Sequence, residues 1–446
     1  MTGHHTTSGS PFTPHSAEET EAMLESIGVD DVEELFDVPE KVRYDGELGI
    51  EPRDEPTIKD EVASLLDKNE DMIELLGRGH YDHYVPSVVD QLSGRSEFLT
   101  SYTQYQAEVT QGFLQALFEF QSMLRELTGL DVVNCSMYDA ASAIGEAATL
   151  ASRIRDTSGD RVLVPDVLQD NRRDVIENYV AGPEMPVDTY PTDDGNVDLD
   201  GLRSKMDEDV VMVYVESPTA RGTLEEHLDE VGELTDEFDA MFTLGSDPVA
   251  LAMLEDPTAA GVDTVVGEAG VLGLPTSFGM GTGLFATKKD YVRQVPGRLV
   301  GVSEDSNGKR SYTLTLQTRE QHIRRERATS NICTNQAWVA LRIAMHMALL
   351  GPSGLVDLAT ESVERARDLA ERVDDIDGFE APAHDRHHFR EFVVETDAPA
   401  GSVADELADA GFAVHVLDED ELQFCVTGVS DEELDEFVST LAEVSA

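Results

Sequence analysis

The run VVMVYV at residues 210–215 is a short β-rich segment, and the fold is decided by what surrounds it. Runs of the same kind stand at Val162–Val164 before it and at Met241–Leu244 and Val262–Val266 after it, with helical patterns at Asp170–Val180 and Leu228–Phe238 between them. Strands alternating with helices at this spacing predict an α/β domain with a parallel or mostly parallel sheet covered on both faces. Ligands of such sheets sit at the carboxyl ends of the strands.

Upstream, apolar residues at three- or four-residue spacing predict an amphipathic helix over Glu108–Leu127. A short extended run at Asp131–Ser136, a turn at Met137–Asp139 and a small-residue helix over Ala140–Arg153 follow. A strand feeding a polar turn into a helix N-terminus can present free N–H groups to a phosphate, and equally reads as a β-α turn capped by Asp139. Gly279-Met-Gly-Thr-Gly283 lacks the GxGxxG spacing, so a dinucleotide-binding reading is weak. Downstream, a strand begins at Tyr312, a long helix over Thr334–Leu350 carries the single tryptophan, Trp338, and Gly351-Pro-Ser-Gly354 marks a hinge. A compact α/β unit completes the chain. The expected division is an N-terminal arm with helices over 1–65, a large domain over 66–350 and a small domain over 351–446.

At the other end, residues 1–20 read as a mobile arm, and Ser16 with Glu19 forms a capping box ahead of the first helix. A further helix is expected from about Ile58 to Leu66. The histidines at 4, 5 and 15, and at 384, 387 and 388, have no acidic or thiol companions at ligand spacing, so no metal is expected. Three separated cysteines without a CxxC suit a reducing compartment. Neither a membrane span nor a secretory signal is expected, which predicts a cytoplasmic protein.

The net charge is −58, from 90 acidic and 32 basic residues. That balance repels nucleic acid. Molar salt shortens the Debye length to about 3 Å and screens most of the self-repulsion, which predicts a halophilic, salt-adapted protein.

Against this acidity stands the basic island LTLQTREQHIRRERATSNICTNQA at 314–337. By itself it is either a solvated face that neutralises nearby carboxylates or a wall for an anion. The island is similar to a signature of the glycine decarboxylase P proteins of the glycine cleavage system, in their two-subunit form and of the subunit 1 type. The block from His80 to Ala148, opening HYDHYVPSVVDQ, resembles the same family. The resemblance implies fold type I of the pyridoxal 5′-phosphate (PLP) enzymes, with a large β/α domain and a small C-terminal α/β domain. It also implies a Schiff-base lysine after a late strand of the large domain. The corresponding stretch here, Val265–Pro275, has none, and no lysine occurs between Lys205 and Lys288. Arginine cannot replace it, because it is not deprotonated in proteins.

The resemblance therefore implies that PLP is held covalently by a partner, glycine dehydrogenase subunit 2, and that the two subunits build the site together. The implied assembly is a heterotetramer, working with the lipoylated H protein and with the T and L proteins. The implied reaction decarboxylates glycine, releases carbon dioxide and passes the aminomethyl group to the lipoyl arm. No catalytic residue is expected in this chain. A shared wall is expected from His83 and from Tyr102, Thr103, Tyr105 and Gln106, the latter four in a loop where Gln104 and Ala107 replace family prolines. Candidates for cofactor phosphate or interface are Asn134, Ser136, Asp139, Ser142, Arg319, His322, Arg324 and Arg325. Asp247 falls where a pyridine-nitrogen carboxylate often lies in this fold and reads here as a relic or a structural cap. The family's GGP turn has become Gly279-Met280-Gly281. Two rival readings are a self-sufficient PLP lyase using Lys205 or Lys288, and a non-catalytic architectural paralogue.

The charge generates a first prediction. Circular dichroism and sedimentation should show fold and assembly weakening as molar salt is diluted to fresh buffer; equal behaviour in both would refute salt adaptation.

Overall fold

The computed structural model describes residues 15–36, 38–44, 46, 49–69, 71–99, 104–275, 281–315, 328, 330, 332 and 336–444, in two compact units divided between residues 70 and 71. In the first unit, α1 (Ala17–Ile27) starts at Ser16 with the expected capping box and ends on Gly28 in the left-handed region, φ 81°. Helix α2 (Glu55–Leu66) begins three residues earlier than the apolar spacing suggests. Asp54 accepts from the Thr57 N–H at 2.9 Å and Pro56 fits the first turn, where no N–H is needed. Neither helix buries a residue.

The second unit opens with β1 (Ile73–Glu74), α3 (Ser87–Ser93), α4 (Gln111–Thr128), β2 (Val132–Val133) and α5 (Ala140–Ile154). Then come β3 (Arg161–Pro165), α6 (Asp170–Ala181), β4 (Val187–Tyr190), the small hairpin of β5 (Thr192–Asp193) and β6 (Asn196–Val197), and α7 (Leu199–Lys205). Strand β7 (Val210–Glu216), α8 (Leu228–Glu237), β8 (Met241–Gly245), β9 (Thr264–Glu268) and β10 (Gly283–Thr287) complete a seven-stranded sheet. Its order is β2-β10-β9-β8-β7-β3-β4; the run from β9 to β4 is parallel, and β10 is antiparallel to both neighbours.

The decisive run is β7, buried throughout. Its alternation feeds two cores. Val213 and Val215 pack with Phe113, Leu117 and Phe120 of α4 and Val231 of α8, whereas Met212 and Tyr214 pack with Ile144 and Ala147 of α5 and Ile176 of α6.

Next, β11 (Val300–Glu304) and β12 (Arg310–Leu314) form a hairpin, with Tyr312 buried and Thr313 exposed. The expected continuation to Leu316 lies outside the described residues. Helix α9 (Ala337–Asp374) runs through the expected hinge: Gly351, at φ 63° and ψ 178°, breaks it, and Pro352 opens the continuation. By length and composition α9 could cross a membrane, yet half of its most apolar window is buried in the protein's own core. The end of the chain supplies β13 (Phe379–Glu380), β14 (Glu391–Thr396), α10 (Ala400–Asp409), β15 (Phe412–Ala413), β16 (His415–Val416), β17 (Glu421–Cys425) and α11 (Asp431–Val444). Strands β13-β14-β17-β16 make an antiparallel sheet, and β15 pairs in parallel with β1.

Two expectations are corrected. Helix α4 starts at Gln111 rather than Glu108, because residues 107–109 form a 3-10 turn that leaves Val109 exposed. Gln111 instead clamps β12, accepting from the Tyr312 N–H and donating to its carbonyl. The stretch after Gly279-Met280-Gly281 is strand β10, which the sequence reading does not assign.

Strands β8 and β9 come together at Gly267, where a Cβ would lie 1.6 Å from the Ser246 carbonyl oxygen. Gly267→Ala is expected to cost about 3 kcal/mol or more in a denaturant titration in molar salt.

Candidate functional site

Strands β7, β8 and β9 end side by side on charged or polar residues: Glu216, Ser246-Asp247 and Glu268. The segment Gly77–His83, the N-terminus of α5, the start of α6 and the entry to β14 converge on them. A cavity of about 260 Å³ is lined by His80, Tyr81, Asp139, Arg172, Glu268 and Pro275 among others. A smaller inner chamber of about 40 Å³ shares Gly79, Tyr81, Arg172 and Glu268 with it and adds Glu216 and Asp247.

The two arginines of this site are paired with carboxylates of the same chain. Arg172 pairs with Glu216 Oε1, which also accepts from the Tyr214 hydroxyl at 2.8 Å. Glu216 Oε2 faces no hydrogen-bond donor among the described residues. Gly79, at φ 91°, passes so close to Arg172 that a Cβ would strike the guanidinium. Arg390 is fully buried and donates to Asp247 Oδ2 at 2.7 Å. Its guanidinium lies 4.0 Å from the Tyr81 ring centre and 4.4 Å from that of Phe389. Asp247 Oδ1 caps the next turn, accepting from the N–H groups of Val249 and Ala250. Glu391 accepts from the Tyr81 hydroxyl at 2.5 Å and the Arg78 N–H at 2.8 Å. Burial raises the Glu391 carboxyl above its usual range, and those two hydrogen bonds oppose the rise.

Glu268 occupies the end of β9. Its Oε1 accepts from the N–H groups of Gly270 and Thr282 at 2.8 and 2.9 Å, and its Oε2 from that of Ala140, at the start of α5, at 3.3 Å. Burial pushes its pKa up to about 7 against those hydrogen bonds, with Asp139 adding repulsion.

Of the residues expected to matter, Asp139 lines the larger cavity and caps α5, accepting from the Ser142 N–H at 2.7 Å. His83 is buried beside Arg390; burial first, then that guanidinium, lowers its pKa to about 3, so it is neutral. Tyr105 lies outside the two cavities, 70% exposed, its hydroxyl accepting from Arg298 at 3.0 Å. Gln106 is exposed and its carbonyl accepts from the Thr110 hydroxyl. Asn134 shapes a turn, donating to the Pro296 carbonyl and accepting from the Ser136 N–H, and Ser136 and Ser142 are buried. Tyr102, Thr103, Arg319, His322, Arg324, Arg325 and the turn at Gly279-Met280 lie outside the described residues. Sequence reasoning missed Arg172, Glu216, Glu268, Arg390 and Glu391. For all but Arg172, which lies in the first turn of α6, the available signal was a charged residue closing or opening an apolar β run, as in YVE216, VVGE268 and HFRE391.

The chain resembles solved structures across almost its whole length. It matches the crystal structure of glycine decarboxylase (P-protein) of the glycine cleavage system in inhibitor-bound form with a TM-score of 0.85 and 38% identity, covering 98% of this chain and 100% of that one. At 15% identity and a TM-score of 0.63, over 91% of this chain and 93% of that one, the sphingosine-1-phosphate lyase of Burkholderia pseudomallei shares the fold alone. The architecture is thus that of the PLP-dependent enzymes of fold type I. The family model described as "Glycine cleavage system P-protein" matches residues 10–441, and the chain is 59% identical to the "Probable glycine dehydrogenase (decarboxylating) subunit 1" of Halobacterium salinarum over 98% of its own length and 100% of the relative's. The chain belongs to the glycine cleavage system P-protein family.

PLP does not fit the residues present. The stretch Val265–Pro275 offers no amine, and its Glu268 carboxylate already holds the Ala140 N–H of α5. Both oxygens of Asp247 are already engaged, Oδ2 with Arg390 and Oδ1 with the N–H groups of Val249 and Ala250.

Arg390→Leu should leave Asp247 buried and unpaired and cost about 3–5 kcal/mol in denaturant titrations, with the Arg390→Leu/Asp247→Leu double variant less destabilised. For Glu268, a folded pKa of about 7 against an ordinary 4.5 means that the folded chain binds the proton more tightly. Its stabilising contribution is full below about pH 4.5 and is lost, by about 3 kcal/mol, as pH rises through 7. Denaturation between pH 5 and 8 should show that downward slope in the parent and a flatter one in Glu268→Gln.

Proposed function

We propose that this chain is the non-lysine subunit of a two-subunit, salt-adapted, cytoplasmic glycine dehydrogenase (decarboxylating). The observation that carries the reading is the absence of lysine from the stretch Val265–Pro275, in a chain of the P-protein family. The name "subunit 1" borne by its relatives implies a subunit 2, and that partner is the source of the lysine and the holder of PLP. There PLP serves as the electron sink while glycine loses carbon dioxide, and the lipoyl arm of H protein accepts the aminomethyl group. T and L proteins complete the cycle, and the assembly is two plus two.

This chain's share is to bind the partner, wall the site and exclude water. The loop of Tyr102, Thr103, Tyr105 and Gln106 is assigned to that wall. Tyr105 suits the role, since its ring is exposed while Arg298, 5.0 Å from the ring centre, holds it from behind. Arg319, His322, Arg324 and Arg325 are assigned to the interface or to the partner's cofactor phosphate.

Lysine placement argues against self-sufficiency. Lys288 is tied to Asp263 at 2.6 Å and Lys205 lies 3.4 Å from Asp188; neither lines the cavities at the strand ends.

Glycine–bicarbonate exchange should appear only when this chain is mixed in molar salt with a lysine-bearing paralogue. Borohydride treatment with PLP should label neither Lys205 nor Lys288 site-specifically. Exchange by the chain alone would overturn the reading. In the reconstituted complex Tyr105→Phe should lower exchange by about tenfold with an unchanged melting temperature; unchanged turnover would favour an architectural role.

A further inference from the structure

The first turn of α5 is where a helix of fifteen residues offers its free amides. An anion is already there: the Glu268 carboxylate takes the Ala140 N–H and draws in those of Gly270 and Thr282. Three N–H donors from three segments converging on one anionic group is the kind of cup that receives phosphate oxygens. The backbone is shaped around this side chain. A Cβ on Gly270 would come within 2.5 Å of Glu268 Oε1, and one on Gly281 within 2.7 Å of the same atom. Asp139 supplies a second carboxylate at the helix start, and Arg172, the cation lining the cavity, is paired with Glu216.

We propose that Glu268 is a built-in anion that closes the start of α5 to phosphate-bearing ligands, and that it is the residue which makes this cavity refuse PLP. A phosphate entering here would displace the carboxylate from its donors and meet its charge and that of Asp139. Burial first, and then repulsion from Asp139, raises the pKa of Glu268. The inference rests on the geometry of this chain and not on the identity of its partner, so it can fail while the subunit assignment stands.

The test uses the full chain at one fixed salt concentration and pH 8, with sulfate and pyridoxine 5′-phosphate as calorimetric probes. Pyridoxine phosphate carries the ring and phosphate without the aldehyde. Glu268→Ala is expected to bind both probes at least tenfold more tightly than the parent. Glu268→Gln, which fills the same volume without the charge, should gain a smaller but measurable affinity. Near-ultraviolet circular dichroism checks that each variant is folded. A parent that binds either probe as tightly as Glu268→Ala overturns the proposal, as does a folded Glu268→Ala that gains nothing. Should Glu268→Ala fail to fold, Glu268→Gln decides: a gain of threefold or more supports the proposal, and no gain overturns it.

Discussion

The contact on which the site depends is the buried ion pair between Arg390 and Asp247. It joins the entry of a strand in the C-terminal antiparallel sheet to the carboxyl end of β8 in the large sheet. A guanidinium without exposure is tolerated because one carboxylate, two aromatic faces and the cap geometry of Asp247 surround it. Tyr81 takes part twice, lying against Arg390 and donating to Glu391, so the segment before α3 is fixed by the same knot. The second pair, Arg172 with Glu216, repeats the pattern one strand away. The consequence is a cleft at the expected end of a doubly covered sheet whose strong charges are engaged with one another.

This engagement keeps the buried charges at the strand ends paired within the chain. A cleft evolved around a charged ligand leaves unsatisfied groups when the ligand is absent, and buried unsatisfied groups are costly. Here side chains of the protein answer many of those groups, while Glu216 Oε2 and Arg390 Nε have no hydrogen-bond partner among the described residues. Glu268 answers backbone donors, Arg390 answers a carboxylate, and Glu391 answers a hydroxyl and a backbone N–H.

The fold was legible where it rests on periodicity. The apolar runs at 162, 210 and 241 became β3, β7 and β8, the fourth became β9, and the break at Gly351 fell where glycine and proline adjoin. Helix starts were harder. The first turns of α2 and α4 are set by a cap and by a side-chain clamp reaching Tyr312, neither of which has a hydrophobic period. Strand β10 hid behind glycines that look like a loop. Of the site, the sequence shows the missing lysine and the capping Asp139. It could not show which arginine meets which carboxylate, because Arg390 and Asp247 are far apart in the chain and become neighbours only once two sheets are assembled.

The Arg390–Asp247 contact also bears on the history open to this molecule. A glutamate codon becomes a lysine codon by one base change, so an amine at position 268 is a single mutational step away. That step alone would leave the Arg390 guanidinium on Asp247, and removing the guanidinium first would strand an acid in the interior. Any change that frees Asp247 therefore has to alter both members of the pair, which couples substitutions at positions 247 and 390.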